Sequence, residues 1–306
     1  AVGTGTTAAG LAAAAALAAC LGVLLARHFS EDGRAEVREA ILSRATAGDL
    51  VIDRTGPRIA FLEFPHVVGP RDLPPGVTLA EDPFSAVAPR RRAIEPGDHA
   101  RVLAVDRFDL FDTEPAALSG LYRPFSEERF GRFRLIVLER RVAGRPLARL
   151  SAGVRGLDVS METDAGAVPA VWREDAEGRW WFEGMPDWQA VGRQDCAYRG
   201  FRTSAVWAHP RAEGPLVIRM PLPEATRRVM VAGGLPDGAP EWGRAHVDVR
   251  VSFGRIELAR PRFPNEPGRR GFALELPAGG SGPFELRVTT PHPGRRHFCL
   301  DVAAWE

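Results

Sequence analysis

The stretch "HVDVRVSF" (His246–Phe253) sets the character of the second half of this chain. Val247, Val249 and Val251 alternate with Asp248, Arg250 and Ser252, so an extended backbone turns the β-branched residues to one face and the polar ones to the other. Such a strand buries one face and wets the other, as strands of antiparallel sandwiches do. Short apolar runs separated by Gly and Pro turns surround it, among them "VPAVWR", "RWWFE", "SAVWAH", "PLVIRM", "RRVMVAG", "GFALELP", "PFELRVTT" and "HFCLDVAAW". About eight or nine strands at this spacing predict an antiparallel jelly-roll β-sandwich over residues 168–306.

The first half reads differently. "SEDGRAEVREAILSRA" (Ser30–Ala45) predicts an amphipathic helix capped by Ser30, with Glu31 and Asp32 at its positive end and Val37, Ile41 and Leu42 on one face. Apolar runs without alternation follow in "GDLVIDR", "RIAFLEF", "HARVLAVDRFD" and "FRLIVLERR". A helix with strands of this buried type predicts a small α/β, Rossmann-like domain with a largely parallel sheet over residues 29–141. Within it, the Pro- and charge-rich segment Gly69–Asp98 reads as an irregular excursion. Residues 142–167 read as a linker or an entry strand.

Ahead of both lies "TTAAGLAAAAALAACLGVLLA" (Thr6–Ala26), uncharged throughout. A stretch of about 20 such residues crosses a hydrocarbon core of about 30 Å. Its Ala and Gly content suits close packing against other membrane helices. Residues 1–28 are therefore expected to form a transmembrane anchor helix. No basic segment precedes the stretch, which disfavours a cleaved secretion signal; a buried Ala-rich helix is the other alternative. Arg27, Arg34 and Arg38 follow the span and favour a cytoplasmic bulk, whereas large domains cross membranes largely regardless of charge.

All 40 basic residues are Arg, and with 39 acidic residues the net charge is +1, so no global field attracts nucleic acid. The local cluster Arg90–Arg92 reads as a solvated loop. Catalytic signatures are absent. The chain has no G-x-S-x-G elbow, "VIDRTGPR" is a poor phosphate cradle, and nothing marks a carboxylate pair among acids such as Glu174, Asp175 and Glu183. No C-x-x-C or H-x-x-x-H spacing points to a metal. No catalytic residue, cofactor or metal is predicted.

What remains is a set of cysteines, histidines and indoles. Cys20 lies in the predicted span and reads as a small apolar residue. Cys196 and Cys299 fall on early and late strands of the sandwich, which are often neighbours in a jelly roll. They admit a disulfide, two separate buried thiols, or metal ligation together with His209 and His297. His209, in "AHP" at a strand end, fits either a turn hydrogen bond or a ligand contact, and His292 and His297 flank a hairpin-like "PGRR" turn. All 7 Trp fall in the second half. Alternation in "RWWFE" sends Trp180 and Trp181 to opposite faces, and Trp181 and Trp188 are the first candidates for an exposed binding surface, core packing being the alternative for each.

The apolar span, "FSEDGRAEVREAILSRATAGDLVI", "ARVLAVDRFD" and "FGRFRLIVLER" together resemble a known arrangement. It is the extracytoplasmic region after the last membrane helix of bacterial polytopic glycosyltransferases of the GT-C class. The resemblance covers Ala26–Arg140 and is sharpest at Glu31-Asp32, Gly48-Asp49 and Phe130-Gly131. The second half resembles carbohydrate-binding jelly rolls in its strand rhythm. Those transferases carry catalytic acids in early loops between many membrane helices, and this chain has one span and none of those loops. The resemblance thus implies a location outside the cytoplasm and an architecture, and it carries over no catalytic residue.

These readings combine into one expectation. The protein would be anchored in a bacterial inner membrane with its folded part periplasmic. It would act as a non-catalytic accessory protein that binds a saccharide, an envelope component or an integral-membrane protein partner, and not nucleic acid. One alternative is a single-span auxiliary subunit bracing a larger, energy-transducing membrane complex. The other is the soluble part of a glycosyltransferase system.

Overall fold

A computed structural model of the protein describes residues 33–53, 55, 58–59, 62–63, 67–81, 98–107, 121–174, 178–198, 201–212, 214–242, 244–291 and 296–306. The expected membrane span with Cys20, the cap at Ser30, Glu31-Asp32, Arg90–Arg92, Asp175 and His292 lie outside the described residues. Among the described residues, no helix is long and apolar enough to cross a membrane.

The first half builds a helix and a mixed sheet. Helix α1 (Arg34–Arg44) is followed by β1 (Leu50–Asp53), the short hairpin β2 (Arg58–Ile59) and β3 (Leu62–Glu63), β4 (Thr78–Glu81), β5 (Arg101–Arg107), β6 (Tyr122–Phe130) and β7 (Phe133–Arg140). Five of these strands form one sheet in the order β4-β1-β5-β7-β6. The pairings β1–β4 and β1–β5 are parallel, and β5–β7 and β6–β7 are antiparallel. On one face Val51, Leu103, Val105 and Leu135 pack against Val37, Ala40 and Ile41 of α1. On the other face Leu50, Ile52, Val102, Ala104, Ile136 and Leu138 belong to a second apolar layer.

This overturns the expected Rossmann-like α/β domain. Half of the sheet pairings are antiparallel, and among the described residues α1 is the single α-helix and β-sheet predominates. The cause is physical. An unalternating apolar strand reports that both its faces are buried, and says nothing about what covers them. Here α1 covers one face, and a second sheet covers the other.

That second sheet is half of a β-sandwich. Its strands are β8 (Ala148–Arg149), β9 (Asp158–Thr163), β10 (Gly166–Pro169), β11 (Val171–Arg173), β12 (Arg179–Trp181), β13 (Val191–Tyr198), β14 (Phe201–Ala208) and β15 (Leu216–Met220). They continue with β16 (Arg228–Leu235), β17 (Val247–Phe253), β18 (Ile256–Ala259), β19 (Arg262–Phe263), β20 (Gly268–Glu275), β21 (Phe284–Thr289) and β22 (Phe298–Trp305). An 8-stranded sheet runs β11-β12-β13-β14-β22-β16-β20 with β8 on β22, and a 7-stranded sheet runs β10-β9-β15-β21-β17-β18 with β19 on β17. Val247, Val249 and Val251 join Ile218, Leu286 and Val288 in the core between them, facing Val206, Val229, Val231, Leu300 and Val302. Residues 142–167 supply β8, β9 and the start of β10 to the two sheets of this sandwich.

Strand β22 is buried along its whole length because it lies between two apolar layers. Phe298, Leu300, Val302 and Ala304 enter the sandwich core. Cys299, Ala303 and Trp305 point the other way, into the layer shared with the five-stranded sheet. The layers are thus α1, the five-stranded sheet, the eight-stranded sheet and the seven-stranded sheet. Gly271 on β20 lets the first half approach closely, since a Cβ there would sit 3.0 Å from Cδ2 of Leu121.

Two carboxylates caught in these layers are met by arginines, as buried charge requires. Arg134 on β7 donates from Nε and Nη2 to the two carboxylate oxygens of Asp106, its cross-strand neighbour on β5, both at 3.1 Å. Asp301 on β22 accepts from the backbone N–H of Ser151 at 3.0 Å and lies 3.6 Å from Arg149 and 4.0 Å from Arg269. Burial pushes the Asp301 carboxyl above its usual range, against the opposing pull of Arg269 and Arg149.

Candidate functional site

Four adjacent strands of the eight-stranded sheet place Arg179, Gly192, Trp207 and Cys299 directly opposite one another in a row. Residues opposite each other in antiparallel strands project to the same face. Gly192 contributes no side chain, so Arg179 reaches across it; a Cβ at 192 would stand 2.7 Å from Cγ of Arg179. The Arg179 guanidinium carbon comes to rest 5.6 Å from the Trp207 ring centroid, within cation–π range.

An aromatic tier continues from Trp207. The ring of His209, just beyond the end of β14, lies 4.3 Å from Trp207, and His297, just before β22, lies 4.6 Å from His209. Trp188, in the turn between β12 and β13, approaches His209 at 5.4 Å. These contacts are edge-to-face, the geometry that aligns positive ring edges with negative ring faces. His209 is buried, while Trp188, His297 and Arg179 are half-buried.

The two cysteines join this same region. Cys196 and Cys299 are bonded to each other, with Sγ atoms 1.96 Å and Cα atoms 6.5 Å apart. The bond links β13 to β22, which are separated in the ladder by β14. Ala205, small and buried, sits on β14 between the rungs that carry the two cysteines. With both sulfurs spent on one another, they ligate nothing, and among the described residues no group of His, Cys, Asp and Glu converges as a metal site. His209 therefore belongs to an aromatic cluster rather than to a thiol–imidazole pair.

The remaining indoles divide by strand alternation. Trp172 and Trp180 are cross-strand partners that meet edge-to-face at 5.4 Å and pack against the sandwich core, where Nε1 of Trp180 donates to the Val154 carbonyl at 2.8 Å. Trp305 is buried between the layers. Trp181 projects to the opposite side from Trp180, the side of Arg179, and the Arg173 guanidinium lies 5.5 Å from its ring. Its cross-strand partner Val171 is 56% exposed at the edge of the sheet. Among the described residues, the buried indole N–H groups of Trp181 and Trp207 have no hydrogen-bond acceptor.

The edge hairpin β11–β12 thus sets Trp181 beside Val171 and Arg173, and the turn after it sets Trp188 against His209, both indoles being half-buried. Sequence reasoning singled out the indoles and missed the arginines. The signal for Arg179 was the glycine at 192, and reading it required the strand register. A second concavity lies on the far sheet and is also lined by arginine.

No protein-family model matches the chain, and no curated protein does either. Among solved structures it is similar to the tandem CBM51 modules of Sp3GH98, a family 98 glycoside hydrolase of Streptococcus pneumoniae SP3-BS71. That similarity has 12% identity, covers 58% of this chain and 56% of that one, and has a TM-score of 0.33. The M60 catalytic domain of Clostridium perfringens ZmpB with its CBM51-1 and CBM51-2 domains is similar at 9% identity, over 60% of this chain and 19% of that one, with a TM-score of 0.30. The C-terminal CBM6 of LamC from Zobellia galactanivorans is similar at 11% identity, over 37% of this chain and 87% of that one, with a TM-score of 0.22. The chain spans 56% of the first of these and 19% of the second. A likeness of this degree assigns neither a family nor a ligand.

Proposed function

We propose that the protein is a non-catalytic saccharide-binding module working in an oxidising compartment outside the cytoplasm. The observation that carries the proposal is the set of indole and guanidinium groups along β11–β12, with the Arg173 guanidinium 5.5 Å from the Trp181 ring and Val171 exposed beside it. A pyranose has an apolar C–H face and a rim of hydroxyls. An indole face packs against the first, and planar guanidinium groups donate hydrogen bonds to the second. The compartment is supported by the Cys196–Cys299 bond, because such bonds persist where thiols are not kept reduced.

The test is a glycan array probed with the full chain and with Trp181→Ala and Trp188→Ala. The wild-type protein is expected to retain a defined set of glycans, and each variant to lose at least about tenfold in affinity, as truncated aromatic anchors do. A folded wild-type protein that retains no glycan would refute the proposal.

A further inference from the structure

On the outer face of the seven-stranded sheet, Arg250 of β17 and Arg287 of β21 are directly opposite partners. Like charges placed so in a ladder repel, and the sequence offers no relief by alternation, since both must project away from the core that holds Val249 and Val288. Both arginines line an open cavity of about 620 Å³, together with Arg260, Arg262, Asp248 and Thr289.

The carboxylates here orient the guanidiniums from the side. Arg262 donates from Nε to Asp248 at 2.8 Å, and Arg260 donates from Nη2 to Glu257 at 2.9 Å. Arg250 lies 3.3 Å from the same Glu257, and Arg287 pairs with Glu162 and Glu285. Among the described residues, no hydrogen bond engages Nη1 of Arg260 or Arg262. The lining has no aromatic ring on which a sugar face could stack. The Nε/Nη2 forks of Arg260 and Arg262 are held by Glu257 and Asp248, which fixes each guanidinium and leaves its outer edge to donate to an oxyanion.

We infer that this cavity is a second ligand site, on the sheet opposite the Trp181–Trp188 strip, and that it takes an oxyanion carried on an acidic saccharide. The oxyanion rests on this cavity's own geometry, and its being carried on a saccharide rests on the proposed function.

Titration calorimetry of the full chain with trigalacturonate, maltotriose and inorganic phosphate tests it. Trigalacturonate is expected to bind more tightly than phosphate and to weaken as salt is raised. Maltotriose should not engage this site. Arg250→Thr and Arg262→Gln should each weaken trigalacturonate binding at least about tenfold, the scale of one charge-assisted hydrogen bond. The melting temperature of Arg250→Thr should change little, because the repulsion from Arg287 and the attraction to Glu257 are lost together. Trp181→Ala should leave trigalacturonate binding intact, so the two sites fail or stand separately. No binding of either anion would overturn the inference, as would an Arg250→Thr variant that melts lower yet binds like wild type. Phosphate binding without trigalacturonate binding would overturn the saccharide assignment.

Discussion

Trp207 on β14 lies directly opposite Cys299 on β22, and Cys299 is bonded to Cys196 on β13. The aromatic tier and the disulfide are therefore parts of one tie between strands. The bond closes a sequence separation of 103 residues. In the chain-entropy model a loop of that size corresponds to about 4.7 kcal/mol. Cys196→Ala, or reduction of the wild-type protein, is expected to lower the unfolding free energy by several kcal/mol and to shift Trp207 emission to the red. Urea unfolding with and without reductant measures it; identical midpoints would show that the bond contributes nothing.

Gly192→Ala probes how Arg179 is held. A methyl group there meets Cγ of Arg179 and displaces the guanidinium from the Trp207 face. A partly buried cation–π contact contributes on the order of 1 kcal/mol, and if Arg179 must be held there to meet a glycan, affinity should fall about fivefold. Backbone stability should hold, since alanine is tolerated in a strand at least as well as glycine. A variant with unchanged affinity would remove Arg179 from the binding strip.

These two residues also show what the sequence could reveal. Alternation exposed Val247, Val249 and Val251 as a core stripe, because a period of two is local. It likewise separated Trp180 from Trp181. What alternation cannot supply is register. The row Arg179–Gly192–Trp207–Cys299 draws on four strands, and the repulsive pair Arg250–Arg287 on two, so neither exists until the strands are paired. The same limit misled the reading of β1, β5 and β7. Their apolar runs report burial on both faces, and the second cover, a sheet rather than helices, comes from residues far along the chain.

The Asp106–Arg134 pair is a strict test of the mixed sheet. Both side chains are nearly buried and bonded through two parallel hydrogen bonds. Arg134→Met removes the guanidinium that faces a buried carboxylate and is expected to cost about 3–5 kcal/mol, whereas replacing both partners by apolar residues of similar volume should recover most of that loss. A double-mutant cycle by denaturant unfolding measures the coupling. Additive losses would mean that the pair is not formed.

Asp301 gives the pH dependence a sign. Its carboxyl is raised in the folded protein, by burial first, with Arg269 and Arg149 opposing. Between the unfolded value, about 3.9, and the higher folded one, the folded chain holds the extra proton, so this group's contribution to stability declines as pH rises through that window. Asp301→Asn keeps an acceptor for the Ser151 N–H and does not titrate. The unfolding free energy of wild type minus that of Asp301→Asn should therefore shrink as pH rises above about 4 and level off only above the raised folded value. A difference that grew with pH would mean that the two arginines outweigh desolvation and hold the carboxylate ionised, making the buried cluster a salt bridge in which charge attraction prevails.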